Sequence, residues 1–367
     1  MIEPHVTGSA MEAGYRWVAE WEPHEATWIA WPHNPRTWPG LLHAIPPITE
    51  RMIRTLAEVE KVHVLGGPPS ILEQATMQLG DANNVYVHDI PTNDCWIRDY
   101  GPTFLLNENG TKLGAVLWRF NAWGEKYHPH DDDTNAAASI CKSSVLQSDT
   151  IQCRMFVSNM IAEGGGIETD GEGTLLTTSS CLLASTRNPN WTRQLVEAEL
   201  KRMLAVRKVL WIDGGELAGD DTDSHIDQLV RFVRPGLVVA AVSYNLQDSN
   251  APKLAKQYEA LKKSTDANNR PLEIVPLVTP PPRYIQGKRV PESYCNFYIA
   301  NEIVIVPMFG FRETDESALK ILQDLFPDRT MIGIDASEFI FGLGAFHCAT
   351  QQQPRLIASP TELPTLA

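Results

Sequence analysis

At 367 residues the chain exceeds one ordinary domain by length alone, yet large single α/β architectures reach this size, which leaves both one and two domains open. The formal charge of −14, from 31 basic against 45 acidic residues, argues against non-specific nucleic-acid binding and suits small cationic ligands. Six cysteines at 95, 141, 153, 181, 295 and 348 contain no Cys-x-x-Cys pair, so they outline neither a structural zinc site nor a disulfide-stapled secreted fold; reduced thiols in a cytoplasm fit them.

In chain order, the opening Met1-Ile2-Glu3-Pro4-His5 has no basic stretch leading into an apolar run, and later apolar stretches are broken by Pro, Asn or Glu. A soluble, unexported protein without membrane contact is expected. Helical patterns lie near 41–60, 69–79, 190–206, 252–264 and 315–326. Pro46 and Pro47 argue against one continuous helix in the first. In the last, Asp315 is placed to cap, with Ala318, Leu319, Leu322 and Leu325 on one face. Apolar runs at 62–65, 85–87, 113–120, 209–212 and 274–278 read as strands between them. No linker or low-complexity stretch divides the chain, and Thr279-Pro280-Pro281-Pro282 reads as a surface loop near a possible site.

Hairpin patterns recur at 103–118, 161–178, 226–242 and 294–307, spaced roughly 65 residues apart, room for a hairpin, a helix and a returning strand. Thr27–Trp31 and Cys348–Gln352 can supply the halves of a further unit. Five α/β units in a ring would follow, with the joined ends removing two strand edges. An ordinary mixed α/β sheet with incidental hairpins fits the same periodicity.

Three polar clusters carry candidate chemistry. In Asp223-Ser224-His225-Ile226-Asp227, a strand would send His225 and Asp227 to one face, and Asp220 and Asp221 add negative charge that calls for a counter-ion. A metal is the rival occupant, but the segment lacks the calcium-loop glycine and glutamate and a second histidine at helical spacing. Asn93 to Pro102 places Trp96, Arg98, Asp94 and Asp99 together, so Trp96 could stack on a cation while Asp99 accepts its hydrogen bonds; a core tryptophan beside an ion pair of Arg98 with Asp99 or Asp94 is the plainer alternative. Glu163-Gly164-Gly165-Gly166 sets a carboxylate beside glycines that admit a ligand to the main chain.

Cys348 stands apart from the other cysteines through Gly344, His347, Thr350 and the glutamines after it. A thiol with an ordinary pKa near 8.5 is only a few per cent ionised at neutral pH, so this nucleophile needs a positive partner such as protonated His225 or the substrate itself. On a strand, His347 would point away from Cys348, leaving His225 as the base.

Several motifs in order make the chain resemble the agmatine deiminases and bacterial-type peptidylarginine deiminases of the guanidine-modifying superfamily. They are Glu20 to Trp28, Asn93 to Phe104, Glu163-Gly164-Gly165 with Asp170 to Thr174, Asp221 to Asp227, Cys295-Asn296-Phe297-Tyr298 and His347-Cys348. The resemblance implies a single α/β catalytic domain over 1–367, a five-bladed pseudo-symmetric β/α propeller, a homodimer, and no metal or organic cofactor. It implies Cys348 as nucleophile, His225 as acid and base, Asp99 and Asp227 as the carboxylates gripping a guanidinium, Glu163 as a further site carboxylate, and Trp96 as an aromatic lining. The implied reaction turns agmatine into N-carbamoylputrescine and ammonia through a covalent thiouronium. Free arginine, peptidyl-arginine or transfer of the amidino group use the same reactive head, and a non-catalytic, carboxylate-rich cation- or metal-binding protein is the reading from another class. Leu343, between Gly342 and Gly344, and Ser224 depart from the glycines common at these places in relatives.

Overall fold

The apolar runs become strands, Lys61–Leu65 and Leu113–Arg119 largely buried and Val85–His88, Lys208–Trp211 and Glu273–Val278 only partly so, while the mid-sheet strands Leu237–Val242 and Ile303–Met308 up to Pro307 are buried throughout. The computed structural model describes residues 5–6, 8–213 and 217–357; Met1–Pro4 and the outer limits of the expected 1–367 domain lie outside them. The fold is mixed α/β, and among the described residues one pattern repeats five times. An antiparallel hairpin is followed by a helix that returns the chain to a third strand, parallel to the second.

The expected hairpins fall at Thr103–Asn107 with Leu113–Arg119, Ile167–Thr169 with Thr174–Thr177, Val230–Arg234 with Leu237–Val242, and Tyr298–Ile299 with Ile303–Met308. Their third strands are Arg154–Ile161, Lys208–Trp211, Glu273–Val278 and Thr330–Asp335. The fifth sheet joins distant segments: Gln351–Pro354 runs antiparallel to His24–Ala30, with Gln351 opposite Trp28 and Gln352 opposite Thr27. Lys61–Leu65 and Val85–His88 continue it in parallel.

The returning helices show why local signals sufficed. Ile45–Ala57 buries Ile45, Thr49, Met52, Ile53 and Leu56 on one stripe. Pro46 and Pro47 sit in its first turn, where no backbone N–H is required, and a separate short turn, Leu42–Ala44, precedes it. Arg193–Leu204 is capped by the Thr192 hydroxyl, which accepts from Leu195 N–H. Two helix expectations need correction. Arg312–Leu325 begins three residues before Asp315, whose carboxylate instead accepts from the Tyr294 hydroxyl at 2.7 Å and Phe309 N–H at 3.0 Å. Buried donors outside the helix claim it. Asp131–Lys142, not expected, has only a weak apolar stripe, but its three leading aspartates favour a helix N-terminus.

Most buried apolar side chains form one cluster running through the sheets, and a second gathers around Tyr15, Phe156, Leu175 and Leu200. Among the described residues no helix is long and apolar enough to cross a membrane.

Candidate active site

Before the first strand of each hairpin the chain makes one tight turn: Ile97–Tyr100, Gly164–Gly166, Ile226–Gln228, Tyr294–Asn296, and 346–349 ahead of Gln351–Pro354. Successive turns among the first four pack on one another. Asp99, Glu163, His225 with Asp227, Asn296 and Cys348 lie on or directly beside these turns, and all are buried.

His225 and Asp227 share the site for a reason other than the strand expected: His225 precedes the turn Ile226–Gln228 and Asp227 lies within it. Gly165 measures the convergence. A Cβ on Gly165 would stand 2.7 Å from His225 Nδ1, 2.8 Å from Asp99 Oδ1 and 3.1 Å from Asp227 Oδ2, so only glycine fits between the three. Its N–H donates to Asp99 Oδ1 at 2.9 Å, and the Trp123 indole donates to Asp99 Oδ2 at 2.9 Å. Burial, with repulsion from Asp227 and Glu163, pushes the Asp99 carboxyl up against the pull of His225.

Asp227 Oδ2 accepts from His347 Nδ1 at 2.8 Å and lies 3.4 Å from Cys348 Sγ, while its Oδ1 is buried without a partner. Burial works against its charge, but the His347 hydrogen bond outweighs it and holds the carboxyl below the usual range. His347 reaches on through Nε2 to Glu20 Oε2 at 2.9 Å. The strand expected to send His347 and Cys348 to opposite faces is a turn here, and both side chains meet Asp227 Oδ2, His347 continuing to Glu20. Glu20 also pairs with Arg231 at 2.8 Å and Arg98 at 3.2 Å, so Arg98 joins this buried network and not the expected Asp99 or Asp94 pair.

Glu163 is gripped by Arg187 Nε at 2.7 and 2.9 Å. Burial opposes its ionisation, yet Arg187 and His225 together hold its carboxyl at about 2. Neither ring nitrogen of His225 has a hydrogen-bond partner; Nδ1 stands 3.7 Å from Asp99 Oδ1 and Nε2 3.7 Å from Glu163 Oε2. Burial disfavours a charged ring, but Asp99, then Cys181 and Glu163, push its pKa well above the ordinary value.

The Asn296 amide fixes the thiol. Its Oδ1 accepts N–H groups of Ala345 at 3.2 Å and Cys348 at 3.3 Å, which turns Nδ2 to donate to Cys348 Sγ at 3.2 Å. Burial and the charges of Asp227 and Asp99 nevertheless push the Cys348 thiol well above the usual range. A bound cation that neutralises the two carboxylates removes the part of that opposition that comes from their charge.

Cys348 and Asp99 face a cavity of about 290 Å³, lined also by Trp96, Trp123, Asp94 and Tyr127. Trp96 is packed against Trp38 and Phe339 yet keeps a surface on the cavity. Gly344 lets it approach: a Cβ there would meet the Trp96 ring at 2.6 Å and Cys348 Cβ at 3.0 Å. The proline loop 279–282 does not line this cavity; it borders a smaller hollow with Leu217 and Glu292. Leu343 and Ser224, the two departures from glycine, have φ of 72° and 70°, the left-handed region that explains why glycine suits both places.

Asn296, Trp123, Arg187 and Cys181 had no sequence reading as site residues. Only Asn296 carried a signal, its place in Cys295-Asn296-Phe297-Tyr298. Trp123 reaches Asp99 because Ala122 to Glu125 all adopt positive φ, from 50° to 90°.

A buried thiol, a buried imidazole and paired carboxylates on a mixed α/β repeat suit an enzyme that hydrolyses C–N bonds of amidines, the class to which likeness to known proteins assigns the chain. The chain belongs to the family of Porphyromonas-type peptidyl-arginine deiminases, whose description matches residues 16–354. It is 35% identical over 379 residues to the agmatine deiminase of Medicago truncatula, covering 96% of this chain and 100% of the relative. Among solved structures it is similar to agmatine deiminase of Enterococcus faecalis, with TM-score 0.87, 30% identity, and 96% and 99% of the two chains covered. A C. jejuni agmatine deiminase with substrate bound has TM-score 0.84 and 28% identity, with 94% and 97% covered.

Proposed function

We propose that this protein hydrolyses agmatine to N-carbamoylputrescine and ammonia, with Cys348 as nucleophile and without metal or organic cofactor. The observation that carries the reading is a pair of buried carboxylates, Asp99 and Asp227, flanking the thiol, with Asp227 Oδ1 and both His225 nitrogens lacking partners. Buried polar groups without partners are rare, and a planar guanidinium supplies the N–H donors the carboxylates need.

Bound between Asp99 and Asp227, the cation lowers the cost of ionising Cys348, whose thiolate attacks the central guanidino carbon. His225 imidazolium protonates the departing nitrogen, releasing ammonia and leaving a cationic thiouronium on sulfur. The neutral ring then takes one proton from water as it attacks that carbon; the C–S bond breaks, the remaining hydroxyl proton passes to the departing sulfur in place of the one released to solvent when it ionised, and the ureido product leaves with thiol and imidazolium restored. Glu163, fixed by Arg187, holds His225 charged and in place. Trp96 and Trp123 cover the apolar part of the substrate.

We read the five repeated sheets as blades of one pseudo-symmetric β/α propeller and the chain as one catalytic domain over 1–367. The pairing of Gln351–Pro354 with His24–Ala30 and the packing of successive turns support this. A cytoplasmic location is supported by six free, buried thiols. A homodimer completes the reading, on family resemblance, and light scattering on the purified protein checks it.

The test is incubation with agmatine, arginine, an arginine peptide and other guanidines, measuring ureido product and ammonia without an amine acceptor. Agmatine should turn over best, and Cys348→Ala should bind it yet form no covalent adduct by mass spectrometry. Folded protein with a reactive Cys348 and no product from any guanidine refutes the reading; product only with an added amine makes it a transferase.

A further inference from the structure

We propose that Glu125, His128 and His130, at the rim of the active-site cavity, form a binding site for a divalent transition-metal ion of the zinc type. The inference is independent of the catalytic reading. His128 and His130 line the cavity mouth, and the left-handed run from Ala122 to Glu125 turns the Glu125 carboxylate back toward both rings. One oxygen, Glu125 Oε2, lies 3.6 Å from His128 Nε2 and 3.3 Å from His130 Nε2. The three donor atoms all lie within 4.8 Å of one another. Tetrahedral zinc with bonds of about 2.0–2.1 Å sets neighbouring ligand atoms about 3.3–3.4 Å apart, close to these spacings.

Hydrogen bonding settles which nitrogen His130 offers. The Thr134 hydroxyl donates to the His130 carbonyl at 2.9 Å, so toward His130 Nδ1, 3.1 Å away, it is left to accept. In the neutral ring the proton therefore sits on Nδ1 and the Nε2 lone pair faces the carboxylate, the arrangement in which histidines ligate metals. A lone pair and a carboxylate oxygen repel at this distance unless a proton or cation lies between them. A metal ion serves all three and keeps a position open to solvent. The ligands are reachable, with side-chain exposures of 63% for His128, 55% for Glu125 and 18% for His130.

The buried group Glu163, Cys181 and His225 is the competing cluster, and its sulfur separates the two. The experiment titrates metal-free Cys348→Ala protein with Zn2+ by calorimetry and records the electronic spectrum with Co2+. We expect one micromolar site and a tetrahedral cobalt spectrum without sulfur charge-transfer bands. Glu125→Ala with His128→Ala should abolish binding, and Thr134→Val should weaken it about tenfold. Absence of binding, binding unchanged in the Glu125→Ala/His128→Ala protein, or a thiolate band in the cobalt spectrum overturns the proposal. Both replaced side chains are exposed, and circular dichroism confirms that the variant is folded.

Discussion

Replacing Gly165 with alanine probes the site at its narrowest point. The new methyl would lie 2.7 Å from His225 Nδ1, 2.8 Å from Asp99 Oδ1 and 3.1 Å from Asp227 Oδ2, where ordinary contact begins at 3.4 Å. Each group must withdraw by several tenths of an ångström, and the Gly165 N–H bond to Asp99 is disturbed with them. Gly165 is not in the left-handed region, so alanine adds no backbone strain, and the crowding offsets the gain of about 0.4–1 kcal/mol that glycine-to-alanine brings at an unstrained position. A displacement of this order at reacting groups costs about 100-fold in rate, or about 2.7 kcal/mol of transition-state stabilisation. The expected result is kcat/KM for agmatine, followed by ammonia release, down by about 100-fold with the melting temperature little changed. Turnover within about twofold of wild type would refute the claim that these three side chains act on the guanidinium in the geometry described.

Asp99→Asn should separate ionisation from catalysis: one charge that raises the Cys348 thiol disappears, so iodoacetamide labels Cys348 faster at neutral pH while turnover collapses. Labelling no faster than wild type contradicts the electrostatic role. Asn296→Ala removes the donor to sulfur and strands two N–H groups, so unfolding in denaturant should show a loss of about 1–3 kcal/mol with a lower kcat; neither changing would rule out this anchor. Glu163, held at about 2 in the folded chain against an ordinary 4.5, stabilises the protein fully above pH 4.5 and loses that contribution as pH falls toward 2. Glu163→Gln should therefore flatten the stability curve between about pH 4.5 and 2 by about one proton, and an unchanged slope speaks against the ion pair with Arg187.

Periodicity made the architecture legible because each hairpin, helix and returning strand is a local pattern, down to the pairing of 27–31 with the segment after Cys348. Asp99, Glu163, His225 and Asp227 stood out in polar segments and Cys348 through its flanking Gly344 and His347, and the structure brings all five to adjoining turns. Their immediate geometry was not legible. His225 and Asp227 were read through strand alternation, whereas a tight turn brings them together. Asn296 meets the sulfur only because two turns 52 residues apart are neighbours, and Arg187 finds Glu163 across 24 residues. Trp123 reaches Asp99 from a left-handed run that sequence alone signals only through Gly124. Such contacts belong to the packing of one unit on the next.

The antiparallel pair Gln351–Pro354 with His24–Ala30 joins segments more than 300 residues apart, and the sulfur stands three positions before it. Contacts of such long sequence separation carry the largest loop-closure penalty and are slow to form. Reactivity and assembly are therefore locked together: until that seam zips, the thiol has neither its amide donor nor its carboxylate neighbours. Any transient unzipping would carry Cys348 away from Asn296 and Asp227.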